Sequence, residues 1–257
     1  MKMKVNRTTA AWLGLLLLSA IPSSFADDAP ADSDAKPETR GWIAQICRDL
    51  TAPLRGPGLD ALLYGSGATA LAYPFRNDGL AVGRNRPLGS ASKVGYQLGL
   101  WKINLAYVVG FMGYGLIEGD SEAVRKSTLM IRATAYTGLI TTGIKELHLE
   151  ERPRKNGDMN SFPSGHASNA FAFAGTVYRN HGWILGGPAF AMAAFVGFSR
   201  MNDNAHYLHD VVFGATLGLS YALGLDSEWS SQDRSRSVAV VPLLGSGAYG
   251  AGAVIDF

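Results

Sequence analysis

Three clusters of polar residues stand out in a chain that is only 17% charged. The first runs Lys145-Glu146-Leu147-His148-Leu149-Glu150-Glu151-Arg152-Pro153. The second is Ser161-Phe162-Pro163-Ser164-Gly165-His166, and the third is Ser199-Arg200 followed by His206 and Asp210. Lys145, Arg152 and Arg200 border apolar segments, where burying a cation without an anion is costly. A phosphate dianion would offset that cost, and guanidinium groups can grip it bidentately. Pro163-Ser164-Gly165 opens a helix, which places free backbone N–H groups and the positive dipole end at an anion site. Gly165 allows an oxyanion close to the backbone, and the Ser164 hydroxyl adds a donor.

His206 and Asp210 are four residues apart, hence on one face if the segment is helical. A carboxylate there holds one ring nitrogen protonated and leaves the other free to attack phosphorus. His166, on a different helix, is then available as the general acid for the leaving oxygen. Three cations and a helix end supply the electrostatic stabilisation, so this chemistry requires no metal. Zinc on His166, His206, His209 and Asp210 is the competing reading, but no HExxH pattern or cysteine ligand set supports it. His148, His181 and His209 match no role and are read as structural or exposed.

Together, Lys145-x6-Arg152-Pro153, Pro163-Ser164-Gly165-His166 and Ser199-Arg200-x5-His206-x3-Asp210 resemble the tripartite signature of the type 2 phosphatidic acid phosphatase (PAP2) superfamily. That superfamily includes lipid phosphatases, bacterial nonspecific acid phosphatases and vanadium haloperoxidases. The resemblance implies an all-α fold, a PAP2-type helical bundle. It implies that His206 is the nucleophile of a phosphohistidine intermediate, that Asp210 orients it, and that His166 protonates the leaving group. Lys145, Arg152, Ser164, Gly165 and Arg200 would bind the phosphoryl oxygens, with no metal or cofactor. The implied activity is hydrolysis of phosphate monoesters or pyrophosphates, on a phosphorylated lipid or a small soluble phosphate ester. Two alternatives stay open: a vanadium-dependent haloperoxidase, and a non-catalytic envelope module that binds phosphate or a phosphorylated lipid.

The elements that must position these residues are helices. Ala61–Phe75, Ile103–Ile117, Ala133–Ile144, Gly182–Ser199 and Val211–Leu225 contain no Asp, Glu, Lys or Arg. They exceed the roughly four to eight residues of a buried strand. Two predicted helices extend beyond these runs, Ser121–Leu149 and one beginning near Ala91 that reaches Ile117. Most of the runs are shorter than the roughly 20 residues a bilayer requires, and Gly186-Gly187-Pro188 interrupts Gly182–Ser199. That favours buried helices of a globular α-bundle over membrane spans.

The helical domain is expected over 41–226, followed by a polar linker and a short C-terminal β-hairpin within 227–257. The hairpin strands are Val238–Leu244 and Ala248–Phe257, about Gly245-Ser246-Gly247. Gly245 to Gly250 spells GxGxxG, but too little chain follows it for a dinucleotide site. Specificity is expected in Leu80–Val94 and Arg154–Asn160.

At the other end, Lys2, Lys4 and Arg7 precede an uncharged stretch, Thr8 to Ala26, closing on Ser24-Phe25-Ala26. That pattern is a secretory signal peptide over 1–26, with 27–40 as a flexible acidic leader. Removing the signal turns a formal net charge of +2 slightly negative. The predicted location is the periplasm, with possible partners at the membrane surface. No basic field exists to make nucleic acid a partner. A hydrophobic content of 47% excludes a disordered chain. The single cysteine, Cys47, forms no internal disulfide, and its helical stripe with Ile43, Ile46 and Leu50 predicts a core position. Thirty-one glycines imply close backbone packing.

Overall fold

In a computed structural model of the chain, the backbone is described for residues 39–235, 238–245 and 248–255, and side chains for 44–76 and 81–227. The expected signal peptide, 1–26, and residues 27–38 of the leader lie outside these. The described residues form, in order, the helices α1 Thr39–Leu50, α2 Gly56–Ala72, α3 Arg76–Asn85, α4 Ser92–Leu98, α5 Lys102–Glu118, α6 Ser121–Lys145, α7 Gly165–Asn202 and α8 Leu208–Ser235. Strands β1 Val238–Gly245 and β2 Ala248–Ile255 pair antiparallel beyond the bundle. The helix α8 continues to Ser235, through most of the stretch read as a polar linker.

The central helix α6 starts where Asp120 caps it, accepting from Glu122 N at 2.9 Å and Ala123 N at 3.1 Å. Such a cap is worth about 1 kcal/mol. Leu129, Ala133 and Tyr136 of α6 pack with Tyr221 and Leu225 of α8 and with Ala52. Met130, on the neighbouring face, joins Ala170, Ala174 and Val177 of α7. Thus α6 is wedged between the two helices that carry the second and third polar clusters. It ends at Lys145, four residues short of the predicted limit.

Where the sequence suggested a break at Gly186-Gly187-Pro188, the backbone breaks at Gly182 (φ 71°, ψ −167°) instead. A straight helix of 38 residues would span about 57 Å and separate His166 from Arg200 by most of that length. The reversal at Gly182 folds arm 183–202 back along arm 165–181. Ala189, Ala193 and Val196 therefore share one core with Ala170, Ala174 and Val177, and Arg200 returns to the level of His166.

Glycine sets the approach of α8 to the first arm of α7. A Cβ at Gly214 would meet the Ser164 carbonyl oxygen at 2.6 Å, and one at Gly218 would overlap the Ser168 carbonyl oxygen. Gly175 answers from the other side, since its Cβ would lie 2.8 Å from Ala222 Cβ. The glycine excess is therefore a helix-packing feature, at least along this contact.

Two expectations need correction. Cys47 is exposed rather than in the core; the α1 stripe buries Asp49 instead, which pairs with Arg132. The length argument against membrane spans also fails. Gly165–Asn202 and Leu208–Ser227 are long and apolar enough to cross a membrane, and α4 with α5 would make a third such span bent by 43°. Counting only uncharged runs underestimated the helices, because polar residues at their ends are helical too. Large apolar side chains also face outward: Tyr64, Leu71, Ile117 and Ile184 are each at least 74% exposed.

Candidate active site

The third cluster runs from the end of α7 to the first turn of α8, with His206 in the non-helical turn between them rather than on a helix face. His206 is 4% exposed, and its Nδ1 lies 3.4 Å from Asp210 Oδ2. The carboxylate is fixed independently of the imidazole: Ser161 Oγ donates to Oδ2 at 2.6 Å and Tyr207 N donates to it at 2.9 Å. On the other side of the ring, Arg152 Nη1 stands 3.4 Å from His206 Nε2. Arginine has donors only, so Nε2 must offer its lone pair and Nδ1 must carry the proton. The ring is thereby set in the tautomer a nucleophile needs.

Burial pushes His206 down to about 4, with Lys145 and Arg152 adding to that fall and the Asp210 hydrogen bond opposing it. At neutral pH the ring is uncharged and its Nε2 lone pair is available.

Lys145 arrives from the last turn of α6. Its Nζ donates to the Asn160 carbonyl at 2.7 Å, and burial, then the Arg152 charge, lowers its pKa to about 8. Arg152 is tethered by Nε to Asp158 Oδ2 at 2.7 Å and donates from Nη1 to the Ala205 carbonyl at 3.2 Å. Arg200, 3% exposed, donates to Asp203 Oδ2 at 2.8 Å and to the Ser92 carbonyl at 3.2 Å. Its guanidinium lies 5.0 Å over the Tyr96 ring. The same ring lies against His166, with centroids 4.7 Å apart. His166 Nε2 is buried and has no hydrogen-bond partner. Leaving such a nitrogen unsatisfied costs about 1–3 kcal/mol, which an incoming oxygen would offset.

Ser164 caps α7, accepting from Ala167 N at 3.4 Å, and its own N–H donates to the Asp210 carbonyl at 3.0 Å. The helix start is thus tied to the third cluster by the backbone. At Gly165 a Cβ would meet nothing closer than Thr141 Cγ2 at 3.8 Å and Lys145 Cε at 3.9 Å. Nothing in the chain itself demands glycine there, unlike at Gly214 or Gly218. Any demand comes from a group outside the chain.

All eight residues singled out from the sequence therefore gather at one site, at the end of α6, in the loop after it, at the start and end of α7 and around the start of α8. A family model described as "PAP2 superfamily" matches residues 129–226, which include every one of them. The matched region belongs to the PAP2 superfamily. Over 64 residues the chain is 38% identical to a "Lipid A 1-phosphatase" of Porphyromonas gingivalis, covering 23% of this chain and 14% of that protein. Over 100 residues it is 31% identical to a "Lipid A 4'-phosphatase" of Helicobacter pylori, covering 37% and 50% respectively. The chain thus spans half or less of the length of these relatives. Among solved structures, it is similar to the "first transmembrane PAP2 type phosphatidylglycerolphosphate phosphatase from Bacillus subtilis". The TM-score is 0.55 at 20% identity, covering 71% of this chain and 97% of that one. At that identity the likeness shows the PAP2 fold alone.

Around this PAP2 crevice, the loop expected to carry specificity does something else as well. In 154–160, Asp158 holds Arg152, and Gly157 N donates to Glu151 Oε1 at 2.9 Å. His148 is exposed and His181 bonds Tyr107 Oη at 2.8 Å, as the structural reading expected. His209 is structural in a fuller sense, buried and paired. It is 2% exposed, and its Nε2 lies 2.7 Å from Glu150 Oε2 and 3.2 Å from Asp210 Oδ1. No sequence signal pointed to it, because its acid partner comes from a separate segment. Glu150, His209 and Asp210 each bring one possible ligand atom within 4.8 Å of the others. Two metal bonds of about 2.05 Å at a tetrahedral angle would hold their donor atoms roughly 3.3 Å apart. The 2.7 Å His209–Glu150 contact is shorter and is a hydrogen bond. A cavity of about 610 Å³ opens beside this trio, lined by Tyr73, Arg76, Leu149, Glu150, Phe162 and His209 among others.

Proposed function

We propose that the chain is an exported, membrane-embedded phosphatase that hydrolyses a phosphate monoester or pyrophosphate on a lipid, through a phosphohistidine at His206. The observation that carries this reading is the His206 ring, with Nδ1 toward a fixed carboxylate and a lone pair at Nε2 among three cations and a helix start. In the first step the Nε2 lone pair forms the N–P bond while the P–O bond to the leaving group breaks. The leaving oxygen takes the proton from His166. Water then attacks phosphorus, His166 recovers a proton from it, and the N–P bond breaks to restore Nε2. Lys145, Arg152, Arg200, the Ser164 hydroxyl and the Gly165 backbone N–H hold the equatorial oxygens, where charge is greatest in the transition state. An imidazolium at His166 among these cations is favourable only beside a dianion. The acid is therefore loaded together with the substrate.

Lipid as the substrate class is supported by the outward apolar side chains, by the helices of membrane-crossing length, and by two relatives named for dephosphorylating lipid A. The export pattern of residues 1–26 supports a site that faces the periplasm. The test is His206→Ala in the purified protein. We expect phosphate release to fall by on the order of 10⁴-fold, and acid-labile ³²P incorporation, present in the wild type, to vanish. Retained turnover would overturn the mechanism. A phosphorylated lipid in mixed micelles should be turned over with a kcat/KM at least tenfold above that of p-nitrophenyl phosphate; the reverse order would overturn the substrate class.

A further inference from the structure

Each oxygen of Asp210 is approached by a group that one residue of the loop before α7 positions. The backbone of Glu150 forms an isolated parallel bridge with Asn160, and its carbonyl accepts from Ser161 N at 3.1 Å. Ser161 Oγ in turn donates to Asp210 Oδ2 at 2.6 Å. The side chain of the same Glu150 takes His209 Nε2 at 2.7 Å, and that nitrogen stands 3.2 Å from Asp210 Oδ1. Oδ1 is buried and makes no hydrogen bond, so the 3.2 Å approach of His209 Nε2 is the polar contact it has. One residue thus references both carboxylate oxygens, the first through its main chain and the second through an imidazole.

From this geometry we infer that Glu150 and His209 are positioning residues for Asp210, setting the orientation of His206 from behind. The inference rests on the phosphohistidine reading above. His209 is wedged by aromatic rings, 4.9 Å from Tyr73, 5.6 Å from Tyr207 and 6.1 Å from Phe162. The ring therefore cannot swing away, and its N–H has only the two carboxylates to address. Its Nδ1 is buried without a partner, so the proton belongs on Nε2. There it is given to Glu150, with Asp210 Oδ1 standing 3.2 Å away as the next acceptor. If the Glu150 carboxylate is lost, that proton turns to Asp210 and draws its charge from the Nδ1–H of His206. If His209 is lost, the polar edge that faces Oδ1 goes with it, and the carboxylate can rotate off the imidazole. Substrate contacts are untouched in both cases, because neither residue borders the cations of the crevice. The expected signature is therefore in kcat, with KM preserved.

Three variants separate positioning from packing. His209→Phe keeps a ring among Tyr73, Tyr207 and Phe162 but has no N–H. His209→Gln keeps an amide N–H donor with less ring volume. Glu150→Ala removes the acceptor. Supporting groups of this kind cost about 10–100-fold when removed. We expect His209→Phe and Glu150→Ala each to lower kcat by that factor with KM within twofold. His209→Gln should recover most of the loss, and the double variant should be no worse than the worse single one. Equal activity of the Phe and Gln variants, a loss confined to KM, or a double variant as poor as the product of the singles would each overturn the inference. A readout independent of turnover uses protein with ¹⁵N-labelled histidines. The wild type should show His206 with its proton on Nδ1, and His209→Phe should shift part of it to Nε2. An unchanged tautomer in that variant sinks the positioning role. A wild type that shows this tautomer yet hydrolyses no phosphate sinks the phosphatase reading and leaves the positioning standing.

Discussion

Arg132 and Arg152 are both held by an aspartate inside the bundle, in opposite ways. Arg132 on α6 gives Nε to Asp49 Oδ2 at 2.8 Å and Nη2 to Asp49 Oδ1, between side chains 8% and 3% exposed. Both prongs of that guanidinium end on one buried carboxylate. Arg152 ion-pairs through Nε with Asp158, whose side chain is 29% exposed, and directs Nη1 inward to the Ala205 carbonyl and His206 Nε2. Arg200 repeats the second pattern, with Asp203 32% exposed on its outer edge. A fork closed by a buried carboxylate fastens α1 to α6. A fork steadied at one edge from the rim presents its remaining donors to whatever approaches the imidazole. The same side chain thus serves the fold in one place and an anion site in the other, and the difference lies in where the acid stands.

Identical deletions should therefore have different consequences. Arg132→Met leaves Asp49 buried without its partner, an error worth about 3–5 kcal/mol. We expect a lowered melting temperature in detergent, with unchanged turnover per folded molecule. Arg152→Met takes one of two cations from a rim aspartate that still pairs with Arg154. Its melting temperature should stay near the wild type while kcat/KM falls by roughly 10²–10³-fold, the usual loss of one oxyanion donor. If the two variants behave alike, the distinction between closed and open forks is wrong. The glycines offer a smaller version of the comparison. Gly218→Ala drives a methyl group into the Ser168 carbonyl and should cost about 1–3 kcal/mol of stability. Gly165→Ala meets no protein atom closer than 3.8 Å, so the fold should tolerate it. Its effect should be a severalfold rise in KM, measured with the same substrate.

The division between open and closed also explains what could be read from the sequence. Lys145, Arg152, Ser164, Gly165, His166, Arg200, His206 and Asp210 were visible because each interrupts an apolar segment at a fixed spacing. The all-helical bundle was visible because long uncharged runs cannot be buried strands. The reversal at Gly182 was not, since a glycine pair and a proline four to six residues later gave a stronger local break signal. Pro188 is tolerated inside the helix, whereas the positive φ at Gly182 turns the chain. Glu150 and His209 were missed for a different reason. Each is an ordinary polar residue in its own segment, and their meaning arises only when residues 59 apart come within 2.7 Å. Membrane-crossing length was misjudged because a polar helix end does not shorten a helix.

Lys145 allows the finest test, because it combines both patterns. It donates to backbone carbonyls as a structural lysine would, yet no carboxylate lies within ion-pair distance of it among the described residues. Burial and the Arg152 charge lower its pKa to about 8, so the charge is present below that pH and disappears as the pH rises through it. His206, lowered to about 4 by burial, gains its nucleophilic lone pair as the pH rises through that value. The profile of kcat/KM for the free enzyme should accordingly climb through about pH 4 and fall again near pH 8. The second ionisation of a phosphate monoester, near 6, adds its own feature, but the same one for every variant. Lys145→Arg isolates the alkaline limb, because a guanidinium stays charged to about pH 12 or above. We expect the fall near pH 8 to vanish in that variant while the acid limb stays in place. An alkaline limb that remains near 8 would mean that Lys145 serves only to hold the Asn160 carbonyl, and would move it to the closed side of the comparison.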